Sequence, residues 1–263
     1  MASLLSVENL QVQFQTKKGI NTAVDGVSFS IEKGRILGIV GESGSGKSTV
    51  IRAAMGLLGD GGKVSGGEIL YQGTEMTRIS GEQLRQLRGP EMGMIFQNAG
   101  ASLCPIRTIE EQLYEAVLQH EDVSKEEIRD RALRLFEQLR FTNGEQILKS
   151  YPFEFSGGMN QRVGIVLAMV LHPRLLLADE PTSALDVTVQ AQVIKEMMKL
   201  RELYGTGIVI VTHNISVVNY MADNIAVMHQ GKLVEYGTKE QVLKHPQEAY
   251  TKKLIGSVLR LKR

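Results

Sequence analysis

Runs of apolar residues separated by polar turns open the chain and predict a series of β-strands. In the second run, apolar and polar positions alternate, which is typical of a sheet with one exposed face. The runs cover residues 4–14, 23–31, 35–40, 69–71 and 92–96. Glycine clusters at 59–62 and 66–67 are expected to break the chain between the third run and the fourth.

The hydrophobic period changes in the middle of the chain and predicts helices. Two segments have the pattern of a capping box, in which a hydroxyl residue precedes a glutamate by three positions: Thr108-Ile109-Glu110-Glu111 and Ser124-Lys125-Glu126-Glu127. Apolar residues at helical spacing follow each box: Ile109, Leu113, Ala116 and Val117, then Ile128, Ala132, Leu135, Phe136 and Leu139. Residues 98–165 are therefore predicted to form a helical insert.

Apolar strands return in the last third of the chain, at residues 175–178, 208–211 and 225–228. Between the first two, residues 187–204 are predicted to form a helix that ends at Gly205. Gln230-Gly231 is typical of a hairpin turn. Because strands that alternate with helices form parallel sheets with covered faces, the pattern predicts an α/β fold.

Composition narrows the class of protein. The chain has 263 residues, of which 22% are charged and 43% hydrophobic, an ordinary globular balance. A net charge of +1 gives no indication of nucleic-acid binding. The single cysteine, Cys104, excludes an intramolecular disulfide and a zinc or iron–sulfur cage made by this chain alone. The start of the chain lacks the pattern of a signal sequence, and its longest apolar run is too short to span a membrane. We expect a soluble, cytoplasmic protein.

The most informative stretch is Gly41-Glu42-Ser43-Gly44-Ser45-Gly46-Lys47-Ser48, which fits the phosphate-binding pattern G-x-x-x-x-G-K-[ST] between a predicted strand and a predicted helix. Lys47 is expected to reach the β- and γ-phosphates, and Ser48 to ligate Mg²⁺. The predicted nucleotide-binding residues are Gly41, Ser43, Gly44, Ser45, Gly46, Lys47, Ser48 and Thr49. The alternative is a glycine-rich turn with a chance lysine.

Two further segments carry candidate chemistry. Asp179 and Glu180 follow the strand at 175–178, so that Asp179 is expected to hold Mg²⁺ and Glu180 to act as the general base for water. Taken alone, such a strand ending is usually structural, and it gains weight from the glycine loop. Ser156-Gly157-Gly158 at the start of a helix predicts a second anion-binding end, although a simple helix cap at Ser156 is the alternative.

With these motifs in this order, the chain resembles the ATP-binding subunits of ABC transporters. Ser156-Gly157-Gly158 resembles the signature, Gln97 the Q-loop glutamine, Ser183-Ala184-Leu185-Asp186 the D-loop, and His213 the switch histidine. The stretches 153–159, 181–192 and 245–251 are most similar to the branch that imports peptides and nickel.

The resemblance implies a mechanism in which two cassettes meet head to tail and enclose two ATP molecules. Gln97 would contact Mg²⁺ and water, His213 would contact the γ-phosphate, and Asp186 would organise the contact between subunits. The implied catalytic residues are Glu180, His213 and Gln97, and the implied metal ligands are Ser48, Gln97 and Asp179. Phe14 is a candidate for stacking on adenine, and a core phenylalanine on an alternating strand is the alternative.

The resemblance also implies the fold: a P-loop NTPase cassette with a mainly parallel sheet, an N-terminal antiparallel β subdomain and an inserted helical subdomain. The expected lobes are residues 1–97 with 166–240 for the nucleotide, 98–165 for the signature, and a helical tail at 241–263.

Implied partners and activity follow from the same resemblance. The cassette would hydrolyse ATP with Mg²⁺ at the cytoplasmic face of the cell membrane and power uptake of peptides, nickel or metal chelates. Its partners would be two transmembrane permease subunits, a second cassette (a paralogue or an identical chain) and an extracytoplasmic binding protein, with no nucleic acid. A soluble ABC-type ATPase that is not coupled to transport is the alternative.

Three residues depart from the pattern of the family. Met159 stands where the signature usually has glutamine, Asn214 where aspartate is usual, and Cys104 where the branch usually has asparagine. Asn214 removes a charge near the site, which leaves the fine tuning of hydrolysis open and does not affect the expectation of hydrolysis itself. The short C-terminus favours import of nickel, metal chelates or small peptides over long oligopeptides.

Overall fold

A computed structural model describes residues 3–183 and 185–258, which divide into two compact units. One consists of Met1–Arg85 and Gly207–Arg263, and the other is Gln86–Thr206; we call them unit 1 and unit 2. The lobe boundaries expected from the resemblance differ from these and stay a prediction. Ala184 of the predicted D-loop and residues 259–263 of the predicted tail lie outside the described residues.

The secondary structure follows the predicted order. The strands are β1 (Leu5–Thr16), β2 (Gly19–Ile31), β3 (Ile36–Val40), β4 (Gly62–Tyr71), β5 (Thr74–Glu75), β6 (Met92–Ile95), β7 (Leu175–Asp179), β8 (Gly207–Thr212), β9 (Asn224–His229) and β10 (Lys232–Thr238). The helices are α1 (Lys47–Ala54), α2 (Gly81–Leu87), α3 (Ala99–Ser102), α4 (Ile109–Leu118), α5 (Lys125–Gln138), α6 (Gly144–Lys149), a 3-10 turn (Pro152–Glu154), α7 (Gly157–Met169), α8 (Val187–Tyr204), α9 (Ile215–Met221), α10 (Lys239–Lys244) and α11 (Ala249–Val258).

Unit 1 contains an antiparallel sheet in the order β2-β1-β4-β5. Its third strand, β4, is longer than predicted because Gly62, Gly66 and Gly67, which were expected to break the chain, lie inside it. Gly59 and Gly61 do precede the strand, as predicted. The pairing of β1 with β4 shifts register between Glu8 and Gln11. A Cβ atom on Gly67 would lie 2.3 Å from the Asn9 carbonyl oxygen, so this glycine permits a bulge and does not end the strand.

The second sheet of unit 1 carries the parallel strands. β3 pairs in parallel with both β8 and β9, and β10 returns antiparallel to β9. Every residue of β3 is buried, as the continuous apolar run predicts for a central parallel strand. Gln230 and Gly231 both have positive φ, 48° and 80°, which confirms the predicted hairpin between β9 and β10.

Unit 2 combines a parallel pair of strands, β6 and β7, with helices α3 to α8. Thr108 forms the full capping box predicted for α4. Ser124 accepts the Glu127 N–H at the start of α5, but the Glu127 carboxylate accepts a bond from Arg131, so the reciprocal half of the second predicted box is not made. Gly205, with φ 64°, ends α8 as predicted.

Candidate nucleotide site

The loop between β3 and α1 is shaped by two glycines that leave no room for a side chain. A Cβ atom on Gly41 would lie 2.1 Å from the Met228 carbonyl oxygen, and one on Gly46 would lie 2.4 Å from the Ala23 carbonyl oxygen. Both contacts are with backbone, which cannot move aside cheaply. The loop conformation therefore depends on glycine at these two positions.

Lys47 lies inside this loop, with only 4% of its surface exposed. Its ammonium group donates to the carbonyl oxygens of Gly41 at 3.0 Å and Glu42 at 2.7 Å, and to Ser45 Oγ at 3.3 Å. A buried charge needs such partners, and here the backbone supplies most of them. The loop thus wraps around a positive charge.

The first turn of α1 adds to the fit for an anion. Its N-cap, Gly46, makes no side-chain cap bond, and the turn contains no acidic residue. The positive end of the helix dipole is therefore not neutralised by a carboxylate of its own first turn. Together with the Lys47 ammonium, this arrangement suits a phosphate group.

His213 follows the strand next to the one that leads into the loop. Val40 of β3 pairs in parallel with Thr212 of β8, so the loop and His213 both begin at the carboxyl ends of adjacent strands. The His213 side chain is exposed. Asn214, where the family usually has aspartate, caps α9 by accepting the Ser216 N–H at 2.9 Å. The amide thus performs a capping role that an aspartate would also perform.

Phe14 is half-buried on β1 and packs against other residues of unit 1. It pairs with Gly62 of β4, and a Cβ atom on Gly62 would lie 2.8 Å from the Phe14 ring and 2.8 Å from Leu58 Cβ. The ring is therefore partly covered by its own unit and partly open to solvent. Its role in adenine stacking stays a prediction.

Unit 2 brings two of the predicted catalytic side chains together. β6 and β7 are parallel, with Ile95 paired to Ala178, so their carboxyl ends lie side by side. Gln97 Nε2 donates to Glu180 Oε2 over 3.3 Å. Asp179, the last residue of β7, is completely buried.

The backbone at Glu180 is unusual. Its φ of 44° lies in the left-handed region, which residues other than glycine rarely adopt. Ser183 holds the turn in place, because its N–H and its hydroxyl both donate to the Glu180 carbonyl oxygen at 3.0 Å. Among the described residues, Asn9, Gln72, Arg140, His172 and Gln230 also have φ between 47° and 57°. The torsion alone therefore does not distinguish Glu180, which differs from them in the bond between its carboxylate and Gln97.

The two remaining motifs stand at helix N-termini of unit 2. Ser156 caps α7 by accepting the Met159 N–H, and Asp186 caps α8 by accepting the N–H groups of Thr188 and Val189. A Cβ atom on Gly158 would lie 2.7 Å from Val189 Cγ1, so this glycine lets the two helices approach closely. The helix-cap alternative for Ser156 describes a real bond, although both capping side chains are exposed.

An ion pair that the sequence reasoning missed links these two helices. Arg162 of α7 donates to Glu196 Oε1 of α8 over 2.6 Å, and also to the Leu139 carbonyl oxygen. Burial raises the pKa of Glu196, while bonds from Gln192 and Arg162 oppose the shift. The signal was present in the sequence, because Glu196 interrupts the apolar face formed by Val193, Met197 and Leu200.

Residues 3–183 and 185–258 contain no cluster of three or more histidine, cysteine or acidic residues that could hold a metal ion. In the same residues, no helix has the length and hydrophobicity needed to cross a membrane.

Comparison with known sequences decides the family. The sequence model of the ABC transporter family matches residues 24–183. The chain belongs to this family. The cassette is 42% identical to the dipeptide transport ATP-binding protein DppD of Bacillus subtilis, over 99% of this chain and 78% of the relative. It is 43% identical to the oligopeptide transport ATP-binding protein AppD of the same organism, over 98% of this chain and 79% of the relative.

Solved structures support the same assignment. A dimeric ATP-binding cassette, MJ0796, in a post-hydrolysis state bound to ADP and Pi has a TM-score of 0.79 and 28% identity, covering 89% of this chain and 98% of its own. CbiO1 from Clostridium perfringens, part of the ABC transporter complex CbiONQ, has a TM-score of 0.78 and 27% identity. The match covers 99% of this chain and 96% of the CbiO1 chain. The predictions of the family, of the α/β cassette fold and of an ATPase are confirmed.

Proposed function

We propose that the cassette binds ATP with Mg²⁺ and hydrolyses it to drive uptake of peptides through separate membrane subunits. The observation that carries the proposal is the glycine loop around the buried Lys47 ammonium, at the start of a helix with no acidic residue in its first turn. This arrangement is suited to hold phosphate groups, and the ATPase family to which the chain belongs uses such a loop for ATP.

Residues of the loop bind the phosphates in this proposal. Lys47 contacts the β- and γ-phosphates, and Ser43, Gly44, Ser45 and Gly46 offer backbone N–H groups and hydroxyls. Ser48, Asp179 and Gln97 are proposed as Mg²⁺ ligands, a set of hydroxyl, carboxylate and amide oxygens that suits a hard cation. When bound, Mg²⁺ neutralises charge on the phosphate oxygens.

Glu180 is proposed as the general base, since it follows the buried Asp179 at the carboxyl end of β7 and its carboxylate accepts a bond from Gln97. It would accept a proton from the attacking water while Gln97 orients the same water. His213 would donate a hydrogen bond to the γ-phosphate, which its exposed position after β8 permits.

The exposed helix ends at Ser156 and Asp186 are proposed to act on a second cassette. A dimeric arrangement is known for the similar cassette MJ0796, bound to ADP and Pi. In this proposal, Ser156 and Gly157 face the nucleotide of the partner, and Asp186 shapes the contact between subunits. The partner is a paralogue or an identical chain.

The names of the relatives support a proposal for the substrate class. Similar proteins are named for dipeptide transport, oligopeptide transport and, in Shigella boydii, glutathione import, all of which concern peptides. We therefore propose peptides as the cargo, while nickel or metal chelates stay a prediction from the resemblance. The expected partners are two permease subunits and an extracytoplasmic binding protein, with the cassette peripheral on the cytoplasmic face of the membrane. A transport-independent ATPase is less favoured, because these relatives are named for transport or import.

Calorimetry on the purified chain tests the nucleotide assignment. Lys47→Ala should weaken ATP binding at least tenfold, because it removes the charge that faces the phosphates. Lys199→Ala, which removes a lysine bonded to the Gln138 carbonyl oxygen in unit 2, is the matched control and should leave the affinity unchanged. Equal ATP affinity in wild type and Lys47→Ala would contradict the proposal.

Co-purification from membranes tests the transport assignment. Tagged chain extracted in mild detergent should bring two membrane-spanning proteins and a second cassette, identified by mass spectrometry. Recovery of the chain alone from the soluble fraction would argue for the ATPase that is not coupled to transport.

A further inference from the structure

One peptide unit of the glycine loop is held from both sides. The Gly41 carbonyl oxygen accepts a bond from Lys47 Nζ at 3.0 Å. The N–H of the same peptide, which belongs to Glu42, donates to the hydroxyl oxygen of Tyr250 at 3.0 Å. The described residues contain no cis peptide bond, so the C=O and N–H of this unit point in opposite directions. Two side chains therefore fix the rotation of one peptide plane.

Tyr250 reaches the loop from α11 near the C-terminus, 208 positions away from Glu42. Its ring stacks on His229 at the end of β9, with 4.0 Å between ring centroids. Burial raises the pKa of the Tyr250 phenol, so the hydroxyl stays neutral at physiological pH. The ring contact holds the hydroxyl oxygen where it can accept the N–H.

The chain just before α11 is tied down separately. The N–H groups of Gln247 and Glu248 donate to the two carboxylate oxygens of Glu235 on β10, at 2.8 and 3.2 Å. One carboxylate thus fixes the point at which the chain turns towards Tyr250. The approach of Tyr250 to the loop therefore depends on β10 as well as on the His229 ring.

We propose that Tyr250 is a positioning residue for nucleotide binding, which acts through the Gly41–Glu42 peptide to hold Lys47 in place for the phosphates. Without the hydroxyl, the Glu42 N–H needs another partner, and the permissive backbone of Gly41 lets the peptide turn. The carbonyl oxygen that holds Lys47 then turns with it. The proposal rests on the proposed role of Lys47 as a phosphate ligand.

Tyr250→Phe tests this directly, because it removes the hydroxyl and keeps a ring that can stack on His229. Loss of one hydrogen bond predicts ATP and ADP binding about three- to tenfold weaker by calorimetry on the purified chain. Tyr236→Phe is the matched control, since the Tyr236 hydroxyl donates to the Ser30 carbonyl oxygen in the same unit and not to the loop. Unchanged affinity in Tyr250→Phe, or equal losses in both variants, would overturn the proposal.

A double-mutant cycle separates positioning from a general effect on folding. In a Lys47→Ala background, Tyr250→Phe should change ADP affinity by less than about twofold, because the group that it positions is gone. The full three- to tenfold loss in that background would show that Tyr250 acts elsewhere. If Lys47→Ala itself leaves nucleotide affinity unchanged, the proposed function fails independently of Tyr250.

Glu235→Ala provides a second route to the same contact with Tyr250 unaltered. Releasing the chain before α11 should weaken ADP binding in the same direction as Tyr250→Phe. Wild-type ADP affinity in a folded Glu235→Ala variant would show that β10 does not help to position Tyr250. Thermal unfolding establishes that the variant is folded.

Discussion

At the scale of single residues, Glu180 carries the most unusual combination of features in unit 2. It has left-handed backbone torsion, a carbonyl group held twice by Ser183, and a carboxylate bonded to Gln97. The geometry is consistent with a carboxylate kept in a fixed direction for proton transfer.

Glu180→Gln should therefore reduce ATP turnover by at least about 100-fold while ATP affinity stays within about threefold, because the amide keeps the shape and cannot accept the proton. Phosphate release and calorimetry measure the two quantities. Glu115→Gln, an exposed carboxylate in the same unit, is the control and should hydrolyse ATP at the normal rate. Near-normal turnover in Glu180→Gln would assign the base to another residue.

Other residues show where sequence reasoning reaches its limit. Ser156 and Asp186 were predicted from short motifs that also fit helix caps, and both side chains do cap helices. A local motif cannot distinguish helix capping from contact with a second cassette, because the same exposed side-chain oxygen can serve in both. The bond from Glu42 to Tyr250 has no local signal at all, since it joins residues at opposite ends of the chain.

At the scale of elements, apolar periodicity was sufficient for most strands and helices. The buried runs of β3, β7 and β8 and the faces of α4 and α5 follow directly from it. The length of β4 could not be predicted from the sequence, because a glycine such as Gly67 occurs both in β-bulges and in turns that end a strand. The second capping box also failed in part, since Arg131 competes for the Glu127 carboxylate.

Disrupting the ion pair between Arg162 of α7 and Glu196 of α8 is expected to cause a measurable loss of stability. Glu196→Gln should lower the free energy of unfolding by about 1–3 kcal/mol, because it leaves the partly buried Arg162 guanidinium without its counter-charge. Chemical denaturation measures the change. Glu115→Gln removes a carboxylate from an exposed pair with Arg107 and should cost at most about 0.5 kcal/mol. Equal losses in the two variants would show that burial of the pair is unimportant.

Helix α11 carries a second testable feature. Thr251 is 1% exposed, lines the same apolar crevice as Val218 and Val242, and its hydroxyl has no hydrogen-bond partner among the described residues. Thr251→Val removes the unsatisfied group at nearly constant volume and should stabilise unit 1 by about 1 kcal/mol, seen as a higher unfolding midpoint. Thr251→Ser keeps the hydroxyl and deletes a methyl group, so it should destabilise. A lower midpoint in Thr251→Val would contradict this account.

At the scale of the whole molecule, nucleotide binding should appear as a gain in stability. ATP at 100 times its dissociation constant should raise the free energy of unfolding by about 2.7 kcal/mol, because only the folded chain binds it. Thermal unfolding with and without ATP measures the shift. Lys47→Ala should lose most of the shift at the same ATP concentration, and an equal shift in both proteins would place the nucleotide away from the loop.

The contact between Tyr250 and the loop has a consequence for how variants of this chain are interpreted. Glu42 takes part through its main-chain N–H, and its side chain is exposed. Almost any amino acid at position 42 can supply that N–H, with proline as the exception. Substitution at position 42 is therefore expected to be tolerated, while substitution at position 250 is not. Because the bond does not depend on the side chain at position 42, correlated substitutions at the two positions would not reveal the contact. A scan of all substitutions at both positions would expose this asymmetry in mutational tolerance.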